Sequence, residues 1–169
     1  MRCFVACFVQ PQSASRLRTA CPDIAGVRWL PTENYHVTLR FLGTVADEQV
    51  DGLLDVVSGL EGPAPICQVT GLQGYPRATS ARALVAELRP EPTLTNWNTW
   101  LRAQTPSNDD TAREFAPHIT VARTRNGVSL PAHEGVAGIP VALSKPGLYR
   151  SVTKPEGATY QRLESRSAR

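Results

Sequence analysis

The chain has 169 residues, of which 41% are hydrophobic and 20% charged. This balance predicts one folded domain with a buried core and excludes a largely disordered chain. The net charge of +3 permits binding to an anionic partner but is too small for a protein dedicated to gripping duplex nucleic acid.

The hydrophobic pattern in the first third of the chain predicts strands that alternate with helices. Residues 1–10 favour a strand, and the apolar run within them is far shorter than the ~20 residues that a membrane-spanning helix needs. We therefore expect no membrane association and no secretory signal. The elements expected next are a short helix over 12–20, a strand towards 23–30, a strong strand over 35–42 and an amphipathic helix over 47–60.

The rest of the chain predicts more strands, with one helix that begins near Pro92. Hairpin-length connections favour an α+β fold with antiparallel sheets over a doubly wound parallel one. We expect one domain over 1–164, with a frayed tail at 165–169. The strands are expected over 66–72 and 83–88, joined by an exposed basic loop at 73–81, and over 118–122, 136–143, 147–152 and 158–164.

The four cysteines predict neither a metal centre nor a disulfide framework. They lie at positions 3, 7, 21 and 67, without a Cys-x-x-Cys pair and without histidine at ligand spacing. Buried, reduced thiols are therefore expected, which suits a cytoplasmic protein.

A four-residue pattern occurs twice in the sequence. It reads His36-Val37-Thr38-Leu39 and His118-Ile119-Thr120-Val121. In a strand, residues i and i+2 point to the same face, so each histidine lies beside a threonine while the aliphatic residues enter the core. A lone strand histidine is usually a packing residue, but two of the three histidines of this chain share the pattern, and this repetition favours a function. His133 lacks that context and is expected at the surface.

Two such pairs on one cleft would suit the hydrolysis of a cyclic phosphate. One histidine can take a proton from water while the other protonates the departing sugar oxygen on the far side of phosphorus. The hydroxyls of Thr38 and Thr120 can donate to the non-bridging oxygens, where charge accumulates. The motifs thus nominate His36, His118, Thr38 and Thr120 as catalytic residues.

The sequence resembles the two-histidine phosphoesterases, and among them the bacterial and archaeal RNA 2′,3′-cyclic phosphodiesterases formerly described as 2′-5′ RNA ligases. The resemblance extends over nearly the whole chain. Its residues are Met1-Arg2-Cys3-Phe4-Val5-Ala6, Arg28-Trp29-Leu30-Pro31, Glu33-Asn34, the segment from His36 to Gly43, Phe115, the segment from Pro117 to Arg123, and Leu148-Tyr149-Arg150-Ser151.

This resemblance implies a bilobal fold of two pseudo-symmetric lobes, whose antiparallel sheets line a central cleft with one histidine from each lobe. It also implies hydrolysis of an RNA terminal 2′,3′-cyclic phosphate to a 2′-phosphate without metal or cofactor. By analogy His36 would be the general acid towards the 3′-oxygen, and His118 would position or deprotonate water. The near symmetry of the motifs leaves these two roles exchangeable.

Arginines and aromatic residues near the motifs are candidates for substrate binding. Arg40 follows His36 by four residues, so strand parity predicts it on the motif face, within reach of phosphate. Arg123 follows His118 by five and would leave that face unless the strand ends or bulges, although the family carries a basic residue there. Four aromatic residues are candidates for stacking a terminal base: Tyr35, Phe41, Phe115 and Tyr149.

Two alternatives remain open at this point. The same histidines could act on 2′-5′ linked RNA as a ligase or phosphodiesterase, or the chain could be a module that binds RNA ends without turnover. The expected partners are RNA ends or nucleotides that carry a 2′,3′-cyclic phosphate, and a monomer is expected.

Overall fold

The computed structural model describes residues 1–107, 110 and 114–165, and the predicted tail lies outside them apart from Ser165. The helices over these residues are α1 (Pro11–Ala20), α2 (Val50–Ser58) and α3 (Pro92–Gln104). Single turns of 3-10 helix lie at Thr32–Asn34, Asp47–Gln49 and Ala78–Ser80. The strands are β1 (Arg2–Phe8), β2 (Arg28–Trp29), β3 (His36–Thr44), β4 (Ile66–Tyr75), β5 (Ala81–Leu88), β6 (His118–Val128), β7 (Pro140–Ala142), β8 (Gly147–Lys154) and β9 (Gly157–Arg162).

The described strands form two antiparallel sheets, one in each lobe. The first sheet has the order β3-β1-β8-β9, and the second has the order β2-β6-β5-β4-β7. Each sheet carries one of the repeated motifs, since β3 begins at His36 and β6 begins at His118. The bilobal α+β fold expected from the sequence is confirmed.

The core lies on one face of each sheet, where the helices pack. Alternation along β1 and β3 buries Val5, Val37 and Leu39, and along β6 it buries Ile119. Helix α3 begins at a proline, and the carboxylate of the preceding Glu91 accepts a hydrogen bond from the Leu94 amide. Its buried residues recur at helical spacing, and they are Leu94, Trp97 and Leu101.

Several strand boundaries differ from the sequence prediction. Strand β2 has only two residues rather than the run over 23–30, because the chain turns at Gly26, where φ is +82°. Strands β4 and β5 instead extend into the loop predicted over 73–81. Gly74 permits this extension, because a Cβ there would lie 2.7 Å from the Cβ of Ala81.

Candidate active site

Strand pairing places each histidine and its threonine on one face of a sheet. In the first sheet His36 lies opposite Phe8 and Thr38 lies opposite Ala6. The intervening Val37 is fully buried in the core. This is the arrangement that the His-x-Thr pattern predicts for β3.

The second motif has the same arrangement on β6. His118 lies opposite Glu87 and Thr120 lies opposite Val85, while the intervening Ile119 is fully buried. Strands β3 and β6 contact each other, and the positive charges of His118 and Arg123 act on the His36 imidazole. The two motif faces therefore meet in one cleft.

Both imidazoles are oriented by the same kind of hydrogen bond. Nδ1 of His36 lies 2.7 Å from the carbonyl oxygen of Asn34, and Nδ1 of His118 lies 2.9 Å from that of Ala116. A carbonyl oxygen can only accept, so each Nδ1 carries the proton and donates it. In each neutral ring Nε2 is consequently the unprotonated nitrogen, available to exchange a proton.

The surroundings of His36 and His118 differ. The His36 ring is half-buried among aromatic rings, with centroid distances of 5.0 Å to Phe8, 5.2 Å to Phe4 and 5.0 Å to Tyr160. Burial lowers the pKa of His36, the hydrogen bond to Asn34 opposes this effect, and the charges of His118 and then Arg123 lower the pKa further. His118 is exposed. Burial among these rings therefore favours the neutral form of His36.

A β-bulge interrupts each motif strand just after the threonine. In β3, Thr38 pairs with Ala6 but Arg40 pairs with Val5, so Leu39 is the extra residue. In β6, Thr120 pairs with Val85 but Ala122 pairs with Leu84, so Val121 is the extra residue. Each bulge shifts the alternation of side chains by one position. The residue five places after each histidine therefore lies on the motif face.

The prediction that Arg40 lies on the motif face is wrong. Because of the bulge, Arg40 pairs with Val5 and lies on the α3 side of the sheet. There its Nε donates to Thr105 Oγ1 over 3.1 Å, and its guanidinium forms an ion pair with Asp110. The hydrogen bond from Arg40 lowers the pKa of Asp110 to about 2. Arg123, in contrast, lies on the face of His118 and Thr120.

Of the four aromatic candidates, Phe41 has the most exposed ring, and it lies on the motif face. Phe41 is 70% exposed and pairs with Phe4, whose ring also packs on His36. Tyr35 is fully buried, because it precedes His36 and so points into the core. Tyr149 is 7% exposed and packs on Phe4, and Phe115 packs against the main core. The buried rings of Tyr35 and Tyr149 are not accessible for stacking on a base, whereas the partly exposed Phe115 remains a prediction.

The structure adds residues that the motifs did not indicate. Tyr160 from β9 meets His36 edge-on, and Tyr75 from β4 lies 6.2 Å from His118 between ring centroids. The Tyr75 hydroxyl donates to Oε1 of Glu87, the residue paired with His118. The turn-forming residues of 73–81 predict a loop and so give no signal for Tyr75, although Gln73 and Tyr75 continue the alternation of β4.

Cavities elsewhere in the structure do not include the imidazoles. One, of about 460 Å³, lies between β3, α2 and the end of α3, and another, of about 430 Å³, lies between α2 and β8. Neither is lined by His36 or His118. None of the described helices is long and apolar enough to cross a membrane.

Solved structures of other proteins share this architecture. The protein TT0787 of Thermus thermophilus is 26% identical to the chain, with a TM-score of 0.75, and the match covers 97% of this chain and 96% of that one. The LigT-like phosphoesterase family matches residues 9–85, which include the first motif. In fold and in its first motif the chain is thus similar to the LigT-like phosphoesterases. The residues of its second motif lie outside the family match, at the start of β6 in the other sheet.

Other solved structures have the same fold at lower identity. Escherichia coli LigT in its apo form is 23% identical, with a TM-score of 0.74, over 96% of this chain and 94% of that one. LigT complexed with 3′-AMP is 22% identical, with a TM-score of 0.75, over 96% and 95% of the two chains. No curated protein sequence matches the chain.

Proposed function

We propose that this protein is a two-histidine phosphoesterase that hydrolyses the 2′,3′-cyclic phosphate at an RNA end to a 2′-phosphate, without a metal ion. The observation that carries the proposal is the pair of imidazoles on one cleft, each held by a hydrogen bond from Nδ1 to a backbone carbonyl two residues earlier. Such a pair suits a reaction in which one proton is removed and another is delivered at a single phosphorus atom.

In the proposed reaction, water attacks phosphorus and the bond from phosphorus to the 3′-oxygen breaks. Nε2 of His118 accepts a proton from the attacking water, and protonated Nε2 of His36 gives a proton to the departing 3′-oxygen. The product carries a 2′-phosphomonoester and a free 3′-hydroxyl, so one water is consumed. Exchange of protons with solvent then restores both histidines.

The proposed stabilisation of the transition state comes from Arg123, Thr38 and Thr120. Negative charge accumulates on the non-bridging oxygens as water attacks, and preorganised donors on the same face favour it. Arg123 lies on the face of Thr120 through the bulge at Val121, and a guanidinium matches the geometry of phosphate oxygens. In this proposal Arg123 is the principal phosphate ligand.

The proposed platform for the terminal base is Phe41. Its ring is 70% exposed beside the aromatic rings around His36, whereas ordinary core phenylalanines are buried. Proteins that recognise single-stranded RNA stack bases on such rings. LigT of Escherichia coli has been crystallised with 3′-AMP, which has a base and a phosphate on one ribose.

The lowered pKa of His36 is compatible with a general acid only when substrate is bound. In the empty cleft, burial among aromatic rings disfavours the imidazolium. A bound phosphodiester is anionic, and an adjacent negative charge raises the pKa of an imidazole. Substrate binding would therefore provide the protonated His36 that the departing oxygen requires.

The deciding experiment is incubation of the protein with a 2′,3′-cyclic nucleotide in excess chelator, with separation of the 2′- and 3′-monophosphates. Rapid formation of the 2′-monophosphate supports the proposal. Tight binding without conversion would indicate an RNA-end binding module instead, and loss of activity on chelation would refute the metal-free mechanism. A parallel reaction with a 2′-5′ linked dinucleotide tests the alternative that these histidines act on 2′-5′ linkages.

A further inference from the structure

A second arginine lies next to Arg123 in the cleft. Strand β2 forms the edge of the second sheet beside β6, and its Arg28 pairs directly with Arg123. Residues directly opposite in an antiparallel pair point to the same face, so Arg28 shares the face of Arg123, Thr120 and His118. The two guanidinium groups therefore project side by side from neighbouring strands.

Two like charges directly opposite each other destabilise a sheet unless something compensates them. The ion pairs found among residues 1–107, 110 and 114–165 join Arg40 and Arg102 to Asp110, and none of them involves Arg28 or Arg123. Both of these arginines are exposed. An anion in the cleft would supply the compensating negative charge.

The guanidinium of Arg28 is held in place from the other lobe. Its Nη1 donates to the carbonyl oxygen of Glu156 over 2.8 Å, at the turn between β8 and β9. The following Gly157 has a φ of +131°, and a Cβ there would lie 2.5 Å from Nη1 of Arg28. Glycine at this turn thus lets the guanidinium approach, and the neutral carbonyl orients it without cancelling its charge.

We propose that Arg28 binds a second phosphate, the one on the 5′ side of the ribose that carries the cyclic phosphate. This inference rests on the proposed function, in which Arg123 binds the cyclic phosphate itself. One ribose separates the two phosphates in the substrate, and Cα atoms of directly opposed residues are ~4.5–5.5 Å apart. Adjacent guanidiniums can therefore each engage one of the two phosphates.

The second phosphate can belong to either of two substrates. It is the linking phosphodiester in an oligonucleotide and the terminal phosphomonoester in a 5′-phosphorylated mononucleotide. The test compares kcat/KM for three substrates with one base: a nucleoside 2′,3′-cyclic phosphate, the same compound with a 5′-phosphate, and a dinucleotide that ends in the cyclic phosphate. We expect about a tenfold gain from a 5′-phosphate group, as suits a charge-assisted contact at a partly exposed site. The three substrates distinguish the monoester from the diester.

The measured quantity is the ratio of kcat/KM for the substrate that carries a 5′-phosphate group to kcat/KM for the substrate that lacks it. In the variant Arg28→Gln this ratio is expected to fall close to one. Arg16→Gln on helix α1 removes the same charge from an exposed position and is expected to keep the wild-type ratio. An unchanged ratio in Arg28→Gln, with all substrates slowed equally, would overturn the inference and assign Arg28 a purely structural role. So would the absence of any gain in the wild-type protein.

A binding measurement separates this inference from the proposed function. Calorimetry compares the Kd of a nucleoside 2′-phosphate with that of the matching 2′,5′-bisphosphate, and neither ligand requires turnover. A preference for the bisphosphate that Arg28→Gln abolishes supports the Arg28 site even if cyclic phosphates are not hydrolysed. Equal Kd values in the wild-type protein would overturn the site even if hydrolysis is rapid.

Discussion

Phe41 and Arg123 occupy equivalent positions in the two motifs. Each lies five residues after the motif histidine, and each is brought onto the motif face by an extra residue in the strand, Leu39 or Val121. The two backbone positions are therefore nearly equivalent but carry different side chains, an exposed ring and a guanidinium. In the proposed function, the ring binds the base and the guanidinium binds the phosphate.

The first prediction compares Arg123→Gln with Arg40→Gln. Loss of a charge-assisted hydrogen bond to phosphate is worth roughly 1.5–3 kcal/mol, so Arg123→Gln is expected to lower kcat/KM about 10- to 100-fold. Arg40 contacts Thr105 and Asp110 instead, so its variant should lower Tm while keeping kcat/KM close to wild type. Steady-state kinetics and thermal unfolding of both variants check this. A larger loss of kcat/KM in Arg40→Gln than in Arg123→Gln would show that the bulges do not place Arg123 on the motif face and Arg40 on the opposite one.

The second prediction concerns the exposed ring of Phe41. Stacking of one base on an aromatic side chain contributes ~1–3 kcal/mol, so Phe41→Ala is expected to raise KM for a cyclic nucleotide by about fivefold or more. For a small cyclic phosphate without a base, such as glycerol 1,2-cyclic phosphate, the same variant should raise KM much less. Trp100→Ala serves as control, since Trp100 is an exposed aromatic residue on helix α3. Equal losses on both substrates would remove Phe41 from base binding.

The repetition of His-x-Thr was enough to locate the two histidines, because a two-residue period determines which side chains share a face. The same two-residue period predicts the wrong face for Arg40. A bulge adds one residue to the strand, so Leu39 and Arg40 both face the core side. Nothing in the sequence HVTLRF indicates that extra residue. The family resemblance pointed to a basic residue at Arg123, where strand parity alone did not.

Contacts from distant segments could not be predicted from local patterns. Tyr160 reaches His36 because β9 joins the same sheet through β8 and β1, although the two residues are far apart in the chain. The hydrogen bond from Arg28 to Glu156 depends on how the two lobes meet. Tyr35 and Tyr149 lie close to the motifs in sequence, yet their rings are buried, because proximity in sequence does not determine which way a ring points.

The third prediction concerns the pH dependence of kcat/KM. Two essential histidines give a bell-shaped profile, and this shape is the same whichever residue is the acid. Because burial lowers the pKa of His36 from the ordinary value near 6.5, one limb of the free-enzyme profile is expected below pH 6.5. Phe8→Ala opens the aromatic surroundings of His36 and should move that limb to higher pH. A flat profile, with chemistry shown to limit the rate, would contradict the histidine pair.

The same pKa shift predicts a change in stability with pH. A folded-state pKa below the unfolded value means that protonation favours the unfolded chain. The contribution of His36 is thus fully present above pH ~6.5 and is lost as the pH falls through its lowered folded value. As the pH falls over this range, the free energy of unfolding should decrease more in the wild-type protein than in His36→Gln. Denaturant titrations at several pH values measure the difference, and a constant difference would argue against a lowered pKa.

The fourth prediction separates the roles of the two histidines. A substrate with sulfur in place of the bridging 3′-oxygen releases a thiolate, which needs little help from a general acid. If His36 is the acid, His36→Ala should recover much of its lost rate on the sulfur substrate, while His118→Ala should not. Recovery in His118→Ala instead would reverse the assignment of the two roles. That reversed assignment would agree with a His36 that is neutral in the empty cleft.

The most direct test of the account is the turnover of a 2′,3′-cyclic nucleotide by His36→Ala and by His118→Ala, each shown by circular dichroism to be folded. Because each imidazole is proposed to move one proton at the same phosphorus atom, kcat should fall by about 10²- to 10⁴-fold in either variant. His133→Ala, at the histidine outside the motifs, should retain the wild-type kcat. A folded His36→Ala or His118→Ala protein that turns over close to the wild-type rate would contradict the account.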